Sequence, residues 1–215
     1  MKKKDIYAVI EPFIYDLQGL VRIAQANPTY ELEARLVDQS LPSRPAHVPK
    51  EQFGAIYAFF KRSEKVFVKQ SKDWDHSLIH FFKDSWVRNT SRKDESEWIN
   101  KIPLVDYNYN VEGREFGFRV SLREESKADP IQAPVHLIRS RKRYSFWLPT
   151  FRLDFSIVWT GKSPEEVKHV KPTYEIEVEY LVTEEEIHPS KIAGDFLIRI
   201  LELQGMERPC KIQKC

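Results

Sequence analysis

This sequence predicts an α+β, mainly β fold: a closed eight-stranded antiparallel β-barrel with flanking helices. Three observations lead there. From Val66 to Tyr180, segment after segment alternates with a period of two, the mark of strands. The gaps between these segments are of hairpin length and hold turn residues, which favours antiparallel pairing. One more alternating segment near the N-terminus brings the count to eight, enough to close a small barrel around one ligand.

The elements follow in order. Asp5 to Ala26 reads as an amphipathic helix, with Ile6, Val9, Ile10, Phe13, Ile14, Leu17, Leu20 and Val21 at three- and four-residue spacing. Asn27-Pro28 ends it, because the residue before a proline is pushed out of the α region. Tyr30–Val37 is the first strand, and a connector with Pro42, Pro45 and Pro49 leads to a second helix over Lys50–Ser63. The remaining strands are expected at Ser77–Phe82, Ser85–Thr90, Glu97–Tyr109, Arg114–Glu125, Val135–Trp147, Phe151–Thr160 and Thr173–Val182. Turns fall at Lys83-Asp84, Asp94-Glu95, Glu112-Gly113, Ala128-Asp129-Pro130 and Gly161-Lys162-Ser163-Pro164. A last helix spans Glu184–Leu203. Residues 1–208 are read as one domain and residues 209–215 as a loose tail.

Composition excludes several classes. The chain has 215 residues, 41% hydrophobic and 31% charged, so it is neither disordered nor fibrous and is long enough for one core. No run approaches the ~20 apolar residues of a membrane-spanning helix, and no apolar segment of a secretory signal follows Met1-Lys2-Lys3-Lys4. Cys210 and Cys215 alone can build neither a disulfide framework nor a four-ligand zinc site, so a reducing, intracellular setting is expected. The net charge is +2, from 34 basic and 32 acidic side chains, which gives no whole-protein attraction to nucleic acid. The charges are segregated instead.

Two strands alternate acids with apolar residues. Tyr30-Glu31-Leu32-Glu33-Ala34-Arg35-Leu36 carries Glu31, Glu33 and Arg35 on one face, and Tyr174-Glu175-Ile176-Glu177-Val178-Glu179-Tyr180 carries three carboxylates. Same-face residues stand roughly 7 Å apart, so two such strands side by side gather five carboxylates that repel unless a cation lies among them. Hard divalent ions suit such oxygen donors. A solvated face of an edge strand is the alternative for either cluster alone. The apolar positions Leu32, Ala34, Ile176 and Val178 already supply a core face, which assigns the acids to a barrel interior.

A third strand is basic. Arg139-Ser140-Arg141-Lys142-Arg143 places Arg139, Arg141 and Arg143 on one face. Arg152, Asp154 and Ser156 share a face on the next strand, and Arg119, Ser121, Arg123 and Glu125 do so on the one before. Arginine forks suit phosphate oxygens. An exterior nucleic-acid patch or a localisation signal would also be basic, but neither needs a period of two. An interior with five Glu on one side and several Arg and Lys on the other is nearly self-neutral, and can hold a metal together with a polyanion.

In these residues the sequence resembles the metal-dependent RNA 5′-triphosphatases of fungi, protozoa and large DNA viruses, within the triphosphate tunnel metalloenzymes. The resemblance rests on the Glu-x-Glu strand (Glu31, Glu33, Arg35) and the Arg-x-Lys/Arg-x-Arg-x-Ser strand (Arg139, Arg141, Arg143, Ser145). It rests also on the Arg-x-Asp-x-Ser strand (Arg152, Asp154, Ser156) and the three-glutamate strand (Glu175, Glu177, Glu179). Softer matches are Trp86-Val87-Arg88, Ile99-Asn100-Lys101, and Phe118-Arg119-Val120-Ser121-Leu122 followed by Glu125, with Glu124 one residue away. The family's middle lysine is replaced here by Arg141.

The resemblance implies removal of the γ-phosphate from the 5′-triphosphate end of nascent RNA, the first step of mRNA capping. It implies Mg2+ or Mn2+ on Glu31, Glu33 and Glu179, with Glu175 and Glu177 positioning the attacking water and Arg141 and Arg143 catalytic. Arg88, Lys101, Arg119, Arg139, Arg141, Arg143 and Arg152 would hold phosphates, and Asp154, Glu125 and Ser156 would orient them. A separate guanylyltransferase, a nuclear or viral site of transcription and no membrane partner are expected; a homodimer stays open. Two other readings are weighed: the same tunnel acting on free nucleotides, tripolyphosphate or thiamine triphosphate, and a non-catalytic RNA-binding barrel using Trp74, Trp86 and Trp98 as stacking surfaces. The second leaves five glutamates without a purpose, because they repel RNA.

Overall fold

Eight antiparallel strands close on themselves in the computed structural model, which describes residues 3–40, 43, 45–62, 67–93, 95–111, 115–183, 187–203 and 212–214. In chain order these are β1 (Tyr30–Asp38), β2 (Lys69–Gln70), β3 (Asp75–Phe82), β4 (Val87–Arg92), β5 (Glu95–Val111), β6 (Phe116–Lys127), β7 (Val135–Trp147), β8 (Phe151–Gly161), β9 (Thr173–Tyr180) and β10 (Ile212–Lys214). The helices are α1 (Lys3–Ala26), α2 (Lys50–Arg62), α3 (Pro164–His169) and α4 (Pro189–Leu203). Around the barrel the order is β1-β6-β5-β4-β3-β7-β8-β9, and β9 returns to β1. The short β2 pairs with β7 and β10 with β5, outside the ring of eight.

The chain's alternation is divided between two surfaces. Leu32, Ala34 and Leu36 on β1 are buried with Phe118, Val120 and Leu122 on β6, Leu153 and Phe155 on β8, and Ile176 and Val178 on β9. This outer face is covered by Leu17, Leu20, Val21 and Ala24 of α1, Phe53 and Phe60 of α2, and Phe196, Leu197 and Ile200 of α4. The apolar core therefore lies outside the barrel, under the helices. The charged alternate positions face inward.

Several expectations change in detail. α3 stands where the sequence suggested only a turn. Ser163 caps it by accepting from the Glu166 N–H at 3.1 Å, and Pro164 occupies the first turn. Ile212–Lys214, read as loose tail, pair with Lys214 opposite Tyr109 and Ile212 opposite Val111. The β3–β4 and β4–β5 turns place Asp84 at φ 53 and Lys93 at φ 47. The expected features at Met1-Lys2, Pro42, Ser63, Asp94, Glu112-Gly113, Arg114, the Glu184 helix start, Cys210 and Cys215 lie outside the described residues.

Gly117 permits the β5–β6 approach that closes the barrel. A Cβ there would stand 2.2 Å from the Tyr109 carbonyl oxygen, a backbone atom that cannot swing aside. Gly117→Ala is expected to destabilise the fold by about 1–3 kcal/mol through overpacking. A denaturant titration with an unchanged midpoint would contradict this.

Candidate active site in the barrel interior

The two acidic strands are neighbours, with Glu33 opposite Glu179 and Arg35 opposite Glu177. Acids and bases interleave instead of facing each other across the interior as expected. In a partly desolvated space each carboxylate is stabilised by the nearest cation. Arg35 lies 3.0 Å from Glu33 Oε1 and 2.8 Å from Glu177 Oε1. Lys101 pairs with Glu31 and, at 2.7 Å, with Glu125, which Arg88 reaches at 3.0 Å. Arg139 donates to both Glu175 oxygens, at 2.6 and 2.7 Å, and Arg152 pairs with Glu179.

These pairs set the charges. Burial works against the Arg35 charge, but Glu177 and Glu33 outweigh it and hold the guanidinium above its usual range. Lys101 is raised likewise, with Glu33 and Glu31 overcoming burial. Glu177 is held well below the usual carboxylate range, since Arg35, Arg143 and Arg141 prevail over burial. Glu179 behaves oppositely, pushed up to about 8 by burial and the Glu31 charge. Its partner Arg152 is shared with Asp154 and does not offset this.

Asp154 is the node of the basic side. It is 1% exposed and accepts from Ser145 Oγ at 2.6 Å, from Arg152 Nε at 3.0 and 3.1 Å, and lies 3.0 Å from Arg143 Nη1. Arg141 differs from its neighbours. It donates to Ser77 Oγ at 3.2 Å and has no carboxylate within ion-pair distance among the described residues. Burial and the adjacent Arg143 push its guanidinium down to about 9. Ser156 Oγ is buried with no hydrogen-bond partner, as are Nε of Arg88 and Nε of Arg143. Lys142 is on the other face, its Nζ 5.7 Å from the centre of the Trp159 ring.

Inner-face residues line two cavities. One, of about 400 Å3, is basic: Arg35, Arg88, Lys101, Arg119, Arg123 and Arg139 line it with Glu33, Trp86 and His136. The other, of about 410 Å3, is acidic: Glu31, Glu97, Glu125 and Glu179 line it with Lys127. Glu125 faces inward, whereas Glu124 stands opposite Tyr30 and Ile102 at the alternate positions. Two inner-face residues escaped the sequence reading. Asp106 accepts from Ser121 Oγ and Arg123 Nη2, both at 2.6 Å, and Asn108 accepts from Arg119 Nε at 3.0 Å. A β-bulge between Pro103 and Val105 shifts the parity of β5, so inward positions run Lys101, then Asp106 and Asn108. Pro103 inside the strand was the available signal.

Among the described residues no three His, Cys, Asp or Glu side chains already stand grouped as metal ligands. The donor chemistry of Glu31, Glu33 and Glu179 nevertheless fits a hard divalent cation. All three offer carboxylate oxygens from two adjoining strands, and Glu33 and Glu179 are opposite one another in register. The Glu179 carboxyl, which resists ionisation in its present surroundings, gains from a nearby cation.

No protein-family model matches the sequence, and no curated protein does. Solved structures do. The S. pombe Pct1 RNA triphosphatase superposes with a TM-score of 0.72 at 12% identity, over 89% of this chain and 92% of that one. The Mimivirus capping enzyme triphosphatase superposes with a TM-score of 0.62 at 13% identity, over 91% of this chain and 98% of that one. At such identity the likeness concerns the path of the backbone. The chain has the closed tunnel fold of the RNA triphosphatases.

Proposed function

We propose that the protein is a divalent-metal-dependent RNA 5′-triphosphatase, which hydrolyses the γ-phosphate of a 5′-triphosphate RNA end in the first step of mRNA capping. The observation that carries this reading is Arg141. A half-buried guanidinium flanked by Arg139 and Arg143, with a hydroxyl but no carboxylate for a partner among the described residues, is stabilised by an anion placed beside it. The unpartnered Ser156 hydroxyl and the nitrogens of Arg88 and Arg143 are further donors for oxyanions.

In this reading Arg139, Arg141 and Arg143 clamp the terminal phosphates, with Arg88, Lys101, Arg119 and Arg152 along the chain of phosphoryl groups. Fixed cations of this kind stabilise charge on the transferring phosphoryl group without reorganising. Water attacks the γ-phosphorus, the bond to the β–γ bridging oxygen breaks, and orthophosphate departs as H2PO4−, keeping both of the water's protons and leaving a diphosphate end. Glu177, kept ionised by Arg35 and Arg143, orients that water with Glu175 and is too weak a base to take its proton early. Asp154 aligns Arg143 and Arg152, and Glu125 aligns Arg88 and Lys101. Glu31, Glu33 and Glu179 would hold Mg2+ or Mn2+, which supplies Lewis-acid neutralisation of phosphate charge.

The neighbouring structures include Pct1 in complex with the Spt5 CTD and the triphosphatase domain of a trifunctional capping enzyme. By extension we place this chain at a site of transcription, beside a guanylyltransferase. Phosphate release from 5′-triphosphate RNA with Mg2+ or Mn2+, and none with a chelator, is the expected result. Glu31→Gln, Glu33→Gln and Glu179→Gln should each abolish it and weaken Mn2+ binding measured calorimetrically. Wild-type Mn2+ affinity in a variant would remove that carboxylate from the metal site. Release from free nucleotides or tripolyphosphate, without release from RNA, would move the substrate to the small polyphosphates.

A further inference from the structure

The barrel has two unlike ends, and the basic one carries an aromatic ring, Trp86, largely open to solvent. Of the three tryptophans that the sequence offered as stacking surfaces, Trp74 packs against Tyr57 and Tyr144, with centroids at 5.5 and 5.7 Å. Trp98 stacks on Phe82 at 5.2 Å and 21°. Both are used by the fold. Trp86 is 61% exposed, makes no ring contact among the described residues, and lines the basic cavity. It immediately precedes β4 and is fixed there through its carbonyl, which accepts from the Lys101 N–H at 3.0 Å. Its side chain is on the same side as Arg88, two residues on and about 7 Å along the strand. Arg119, Arg139 and His136 stand around the same opening.

We propose that Trp86 is the platform on which the first base of the RNA stacks, so that the RNA enters by the basic mouth with its triphosphate leading. This rests on the triphosphatase reading and adds to it the feature that separates a nucleic-acid substrate from a bare polyphosphate. The opposite mouth, lined by Glu31, Glu97, Glu125 and Glu179 with Lys127, offers a polyanion no arginine among its lining residues. Phosphates drawn inward past Arg88 leave the attached ribose and base at the rim, where an indole face is available. Stacking accepts any base, since every base presents a π face. It therefore selects RNA and nucleotides over tripolyphosphate without selecting sequence.

The test compares wild type, Trp86→Ala and Trp86→Phe in binding a short 5′-triphosphate RNA, GTP and inorganic tripolyphosphate with a metal chelator present. In parallel, kcat/KM is measured for the same three with Mn2+. The ratio of RNA affinity to tripolyphosphate affinity should fall about tenfold or more in Trp86→Ala, with the GTP ratio falling too, and Trp86→Phe should recover most of both. An unchanged ratio, or equal losses on all three ligands, would overturn the stacking platform. An RNA-selective loss of binding in a chain that hydrolyses none of the three would uphold the platform and remove the activity. Absence of triphosphate binding by the wild-type chain would overturn both.

Discussion

Arg141→Ala is expected to lower phosphate release from 5′-triphosphate RNA by about 10²- to 10³-fold, the usual effect of deleting one preorganised donor at a site of developing charge. Its neighbour in sequence provides the control. Lys142 stands on the outer face over Trp159, so Lys142→Ala should keep close to the wild-type rate. Arg141→Lys should fall between them, because an ammonium keeps the charge but loses the planar fork and the Nε donation to Ser77. Stability should move the other way. Removing Arg141 takes away a half-buried cation held unfavourably close to Arg143, so the variant should melt no lower than wild type. Comparable small losses in both alanine variants, read under one metal and salt condition, would remove this strand from the phosphate site.

Asp154→Ala should damage the fold as well as the activity. The carboxylate is buried and simultaneously serves Ser145, Arg143 and Arg152. Its loss leaves two guanidinium groups and a hydroxyl without their shared partner. Breaking a buried pair in this way costs about 3–5 kcal/mol, and for a chain of this size the melting temperature should drop by roughly 10 °C. Asp154→Asn keeps an acceptor for Ser145 and should lose less. A wild-type melting temperature in Asp154→Ala would show that the arginines find other counter-charges.

The parts of this architecture that rest on local pattern were legible in the chain. β7 runs over Val135–Trp147, as its alternation indicates, and the acidic strands β1 and β9 are neighbours. The inward placement of Arg139, Arg141, Arg143, Glu31, Glu33, Glu175, Glu177 and Glu179 follows from the same period of two. What stayed hidden depends on three-dimensional closure. Which carboxylate meets which base is set by the shear of the barrel, so pairs such as Arg139–Glu175, distant in the chain, have no local signature. Asp106 was lost to a bulge that reverses parity within one strand. The packing of Trp74 and Trp98 depends on Tyr57 and Phe82, on other elements, which alternation alone cannot place.

The placement of the apolar core outside the strands constrains how this chain can change. Between Arg139 and Ser145 the odd-numbered residues of β7 face the interior, while the even-numbered Tyr144 and Phe146 pack under the helices, within one continuous segment. Inserting or deleting a single residue there would exchange the two sets, presenting Arg141 to the helices and Tyr144 to the interior. Substitution at inward positions leaves the packing under the helices in place, and costs stability where it breaks a shared ion pair such as that of Asp154. Divergence among barrels of this kind should therefore accumulate as replacements within the lumen and as length changes confined to the hairpins. Substrate preference can then drift while the backbone path is kept, consistent with 12% identity accompanying a TM-score of 0.72.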